Sequence, residues 1–128
     1  MMQRKNFSSG THWEPIVGYS RAVRVGDSVY VSGTTATNKE GKIVGADPYA
    51  QVNQIIKNIE TALQSVGAAL KDIVRTRIYV TNINSLEEVG KAHAQYFKQI
   101  RPATTLVEVS RLINPEMLVE IEVDALVT

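Results

Sequence analysis

An α+β fold, with two helices packed on one face of a mixed β-sheet, is the architecture this sequence predicts. Three observations carry it: β-prone runs stand towards both ends of the chain, two helical periods lie between them, and a β-branched run separates the helices. Two helices cover only one face of such a sheet. Unless the other face is polar throughout, another subunit covers it.

Arg21 to Val25 and Ser28 to Ser32 are β-prone runs joined by Gly26-Asp27, a two-residue link suited to a tight hairpin. Thr34 to Gly45 is polar, holds Gly41 and Gly45, and reads as a loop bordering a cleft. Asp47 then caps a helix with Pro48 in its first turn. Val52, Ile55, Ile56, Ile59, Leu63 and Val66 follow at helical spacing, and Gly67 supplies the stop. Ile73 to Val80 is a β-branched strand that ends in the turn Thr81 to Asn84. A second helix opens with capping-box spacing at Ser85 and Glu88. It carries Leu86, Val89, Tyr96, Phe97 and Ile100 on one side and ends at Arg101-Pro102.

Two strand-like runs close the chain, Arg101 to Leu112 and Leu118 to Asp124. In the second, Val119, Ile121, Val123 and Ala125 alternate with Glu120, Glu122 and Asp124, so the apolar residues share one face and the carboxylates the other. Tyr30, Arg75, Arg77 and Tyr79 are placed on that same open face.

The chain of 128 residues is read as one domain, 1–128, without linker or repeat. Its net charge of +1 gives no global basic field for nucleic acid or an anionic membrane, so small, locally recognised ligands are the expected partners. With no cysteine there is no disulfide, thiol nucleophile or thiolate metal site. The segment Met1 to Phe7 lacks the apolar centre of a signal peptide, and no apolar run approaches the ~18 residues of a membrane span, which makes the cytoplasm the expected location. His12 and His93 lie far apart with no carboxylate at ligand spacing, so neither a metal nor another cofactor is expected.

Acid–base chemistry therefore falls to carboxylates, tyrosines, arginines, hydroxyls and backbone groups. Glu120 is the first carboxylate of an otherwise apolar strand: it is either one more group on a solvated face or a half-buried carboxyl with a raised pKa that handles a water proton. Tyr19, after Gly18, either packs or points a phenol into a cleft. Ser32-Gly33 either starts a loop or presents a hydroxyl and backbone N–H groups to a ligand. Asn84 caps a turn unless its position makes it a contact. His93, beside Tyr96 and Phe97, reads as core-edge packing. No phosphate loop or hydrolase elbow is present.

Gly18-Tyr19, the strand end Val29 to Gly33, Asn53 to Gly67, Tyr79 to Asn84, and Arg101-Pro102-Ala103 through Val119 to Glu122 together resemble the Rid superfamily, the YjgF-like reactive-intermediate deaminases. The resemblance spans nearly all of the chain after about residue 15. It implies a chorismate-mutase-like fold and a homotrimer whose three sheets form a central barrel, with ligand clefts between subunits. In deaminating members an arginine directly after Pro-Ala grips the carboxylate of a 2-imino or 2-enamino acid, and water attacks the imine carbon to release ammonia and a 2-keto acid. By the same resemblance the pocket tyrosine falls on Tyr19, the strand-end pair on Ser32 and Gly33, the asparagine on Asn84 and the water-handling glutamate on Glu120. The arginine position holds Thr104, and the family's frequent cysteine is replaced by Leu106. A threonine hydroxyl cannot reproduce a bidentate, charge-assisted grip. Arg21, Arg75 and Arg77 stand as unranked alternative donors. Arg101 serves only if the chain bends at Pro102.

Three functions follow in order. The first is a Rid-type hydrolase acting on an imine, enamine or related reactive metabolite, with Glu120 positioning water and Tyr19, Thr104 and Thr105 shaping the pocket. The second is a non-catalytic trimer that binds a metabolite or a protein in the same clefts. RNA cleavage, a label often attached to this family, comes last, because the chain has few aromatics and no basic stripe.

Overall fold

The structure, a computed structural model, describes residues 2–128; Met1 lies outside the described residues. The elements in chain order are β1 (Arg4–Phe7), α1 (Trp13–Val17), β2 (Ala22–Val25), β3 (Ser28–Thr34), α2 (Pro48–Ser65), β4 (Ile73–Val80), α3 (Leu86–Phe97), β5 (Ala103–Glu108) and β6 (Val119–Leu126), with short 3-10 turns at Leu70–Asp72 and Ile83–Ser85. The six strands form one sheet in the order β1-β2-β3-β6-β4-β5. All neighbours are antiparallel except β4 and β5, which run parallel, so the sheet is mixed as expected. Helix α2 packs on β3, β6 and α3.

Alternation decides which side of the sheet is dry. Val119, Ile121 and Val123 of β6 are at most 1% exposed and meet Val52, Ile55, Ile56, Ile59 and Leu63 of α2 in one core cluster. Burying each such side chain contributes about 2 kcal/mol. Register then carries the polar partners to the other side: Glu120 stands opposite Tyr79, Glu122 opposite Arg77, and Asp124 opposite both Arg75 and Tyr30. The expected open face is therefore present, with all seven of its named residues.

Helix α2 ends as its sequence signals demand. The Asp47 carboxylate accepts from the Ala50 N–H at 2.8 Å, and Gly67 takes φ 79° just past the end. Arg24 adds a cap that no local pattern announces, its Nη1 donating to the carbonyls of Val66 at 2.9 Å and Gly67 at 3.2 Å.

Several expectations need correction. Strand β1 and helix α1 are additional elements. Arg4–Phe7 has no apolar alternation and is a strand only because it pairs with β2, and five residues are too few for α1 to show a helical period. The capping box at Ser85 does not form: the Ser85 hydroxyl donates to the Asn82 carbonyl, and Glu88 accepts from the Tyr49 N–H instead. Leu86, placed on the apolar side of α3, is half exposed because it lies at the helix start beyond the core. Helix α3 also stops at Phe97, ahead of Arg101-Pro102, where Arg101 bends the chain in the left-handed region at φ 57°.

Candidate functional site

The β3–β6 pairing breaks between Val31 and Thr34, and that irregularity shapes the corner around Glu120. Gly33 sits in the break. A Cβ added there would lie 3.0 Å from Glu120 Cδ and closer still to Oε2, so the carboxylate rests in space that only a glycine leaves open. Glu120 is partly buried, and no hydrogen bond from a described residue engages its carboxylate. Burial lifts its pKa above the ordinary carboxylate value, the charge of Arg21 opposes the rise, and Glu122 adds to it.

Its neighbours on the same face are different. Glu122 accepts from the Tyr79 hydroxyl at 2.5 Å and from Arg77 at 3.5 Å, and Arg77 also reaches Asp124 at 3.3 Å. The hydrogen bond to Glu122, ahead of burial, pushes the Tyr79 phenol up. Of three carboxylates on one strand face, two are tied into this network and Glu120 is left outside it.

Tyr19 and Ser32 gather at the same corner. The Ser32 hydroxyl donates to the Ser20 carbonyl at 2.7 Å, and the Tyr19 hydroxyl receives Arg21 Nη2 at 3.2 Å. Tyr19 also lines an open cavity of about 370 Å³ bordered by Thr11, Glu14 and Ser20. Tyr19, Ser32, Gly33 and Glu120 thus lie around Arg21.

The other predicted residues lie elsewhere. Asn84 is exposed and lines a second cavity of about 300 Å³ with Pro48, Thr81 and Leu118, at the end of the sheet where β6 begins. Neither cavity includes Glu120. Thr104 pairs with Thr76 and Leu106 with Ile78, on the helix-covered side, while Thr105 pairs with Arg77 on the open side. Leu106 packs against the core cluster. Thr76 lies opposite Val123, three residues along β6 from Glu120 and one strand short of β5. Thr104 is therefore about 10 Å along and about 10 Å across from Glu120, on the opposite face.

Thr104 is exposed and closes a short chain of polar contacts. Its Oγ1 lies 2.8 Å from Oγ1 of the fully buried Thr76 and 3.1 Å from the Pro102 carbonyl oxygen, and Thr76 Oγ1 lies 3.0 Å from His93 Nε2. Burial lowers the His93 pKa, which favours the neutral ring, and the ring lies tilted with its centre 4.5 Å from that of Phe97 at the core edge. The Thr104 hydroxyl is thus tied to Pro102 and Thr76 and carries one neutral proton at most.

Glu14 and Thr76 are residues of this region that the sequence pattern did not single out. Glu14 is 2% exposed; its carboxylate accepts from the Ser9 and Thr11 hydroxyls at 2.5 and 2.6 Å and from both backbone N–H groups, and Arg21 Nε stands 3.9 Å away. The signal was available, since Thr11 and Glu14 have the capping-box spacing that Ser85 and Glu88 fail to use. Thr76 had no such mark inside an apolar strand.

Comparison with known proteins agrees with this architecture. A family model described as Endoribonuclease L-PSP matches residues 10–127. An uncharacterized protein of Streptomyces coelicolor is 35% identical over 121 residues, 94% of this chain and 90% of that protein, and a RutC family protein of Pyrococcus abyssi is 36% identical over 110 residues, 85% of this chain and 86% of its own length. Among solved structures, a member of the YjgF/YER057c/UK114 family from Mycobacterium tuberculosis superposes with TM-score 0.90 at 52% identity, covering 98% of this chain and all of its own. YyfA of Yersinia pestis, of the Rid protein family, gives 0.84 at 36% identity, with 98% of this chain and all of that one covered. With the matched residues running from the N-terminal corner through both helices to the end of β6, the chain belongs to the YjgF/RutC family, known also as Endoribonuclease L-PSP.

Proposed function

We propose that this protein is a small-molecule hydrolase of the Rid type that opens a C=N bond of an imine or an enamine-derived imine. The observation that carries the reading is Glu120: a partly buried carboxyl with a raised pKa, free of hydrogen bonds from described residues and seated over a glycine. Such a group takes a proton from water as the oxygen adds to the imine carbon and returns one to the nitrogen. The carbonyl product and ammonia account for all atoms of imine and water.

A cleft made by one chain cannot hold both Glu120 and Thr104, which occupy opposite faces of the sheet. The reading therefore includes a homotrimer in which the Glu120 corner of one copy faces the β5 edge and Asn84 of the next. The open face supports this, since it carries Tyr30 at 52% exposure beside charged groups. That face mixes Glu120, Glu122 and Asp124 with Arg75 and Arg77 and so forms no basic stripe for phosphates, which favours a metabolite over RNA.

Thr104 decides the substrate. A threonine hydroxyl gives a carboxylate at most one neutral donor, and the missing charge-assisted contact amounts to about 1.5–3 kcal/mol, tenfold or more in binding. Ammonia release from 2-iminobutanoate or 2-aminoacrylate, generated in place by an auxiliary enzyme, tests this. Wild type is expected to be weak or inactive, Thr104→Arg to gain at least about tenfold, and Glu120→Ala to abolish the gain. Robust wild-type turnover refutes the arginine argument. If no variant turns over while a small molecule still raises the melting temperature, the chain is a binding protein.

A further inference from the structure

We propose that Arg21 is the positioning residue of the Glu120 corner: it pins the break in β3 on which that carboxylate lies and ties it to the N-terminal segment through Tyr19 and Glu14. The inference rests on Glu120 being the working group. Where the ladder between β3 and β6 is interrupted, backbone carbonyls lose their partners across the sheet and need others. Arg21 supplies them. Its Nη1 lies 2.6 Å from the Gly33 carbonyl oxygen, 3.4 Å from that of Ser32 and 3.3 Å from Thr34 Oγ1. The same guanidinium donates through Nη2 to Tyr19, lies 5.5 Å from the centre of that ring, and keeps Nε 3.9 Å from Glu14.

This set of contacts uses the planar fork of arginine. Nη1 meets the acceptors of β3 while Nη2 reaches Tyr19; a lysine ammonium carries the charge on a single nitrogen and cannot hold both at once. With its side chain 12% exposed and most of its N–H groups engaged, Arg21 is built to hold protein atoms and not to grip a ligand. Around Glu120 stand Arg21 before β2, Glu122 on its own strand and Tyr79 on β4. Arg21 is the member of that set that favours the charged carboxylate.

The test is a pH titration by NMR of the full-length, 13C,15N-labelled protein, following the Glu120 carboxyl and the Gly33 and Thr34 amides. Arg21→Gln is expected to raise the proton affinity of Glu120 about tenfold and to shift both amides. Arg21→Lys keeps the charge and loses the fork, so Glu120 is expected to titrate within about twofold of wild type while the same amides shift. Wild-type titration or wild-type amides in Arg21→Gln overturn the proposal. Should that variant not fold, wild-type amides in Arg21→Lys overturn it. No substrate enters, so failure of the hydrolase reading is seen separately, as absent ammonia release beside a Glu120 that still answers to Arg21.

Discussion

Glu14 and Glu120 are two buried or partly buried carboxylates on either side of one arginine, and their protons behave in opposite ways. Glu14 is the less exposed of the two. Burial alone would raise its pKa, yet the hydroxyls of Ser9, Thr11 and Ser8 and the Thr11 backbone N–H outweigh it and bring the value down to about 2. Glu120 has no such donors, and burial wins. Donors that surround one carboxylate and are absent from the other, together with desolvation, separate the two. A saturated carboxylate holds its segment in place; an unsaturated one, held near water, can exchange a proton.

Glu14→Gln removes the saturated carboxylate and is expected to destabilise the N-terminal corner. A folded-state pKa below the ordinary value means stability that is present above about pH 4.5 and is lost as the pH falls towards 2. The substitution is expected to cost about 2 kcal/mol at pH 7, after discounting for solvent near the corner, and progressively less through that window. Urea unfolding across the pH range measures it.

Gly33→Ala tests the other side of the pair. The backbone there is not left-handed, so the cost comes from collision with the Glu120 carboxylate, about 1–3 kcal/mol. Adding Glu120→Ala should restore at least about 1 kcal/mol of it in a double-mutant cycle. Additive losses would mean that the two side chains do not share the space.

The smallest effect sharpens the sign. Because Glu120 is raised, ionising it costs stability, and that cost is absent below the ordinary carboxylate value and complete above the raised one. Glu120→Gln should therefore raise the melting temperature at pH 7, by no more than about 4 °C, and leave it unchanged near pH 4. A loss at pH 7 would show that the charged form is held by a partner.

Much of the fold was legible because its signals are local and periodic. The stripe of α2, the glycine after it, the β-branched β4 and the alternation of β6 each state which side of an element is dry. Strand β1 and the β3 break were not legible, since one depends on a partner strand and the other on where Glu120 comes to rest. For the candidate site, Tyr19, Ser32, Gly33 and Glu120 were named by the resemblance and lie around Arg21. Thr104, Leu106 and Asn84 stand apart from them, because strand order and facing are properties of the sheet. Arg21 could be named as a donor but not ranked above Arg75 and Arg77, for the same reason.

By itself the amino-acid order determined the layers of this protein, the apolar and acidic faces of its last strand and the absence of an arginine at residue 104, since these follow from side-chain chemistry at fixed spacing. Only the tertiary structure decided which carboxylate is free. Glu120, Glu122 and Asp124 are equivalent along the strand, and what separates them is across it: Tyr79 and Arg77 beside two, a glycine and the already occupied Arg21 beside the third. Hydrogen bonds and desolvation act between residues distant in the chain, and so the proton on Glu120 is set by the fold.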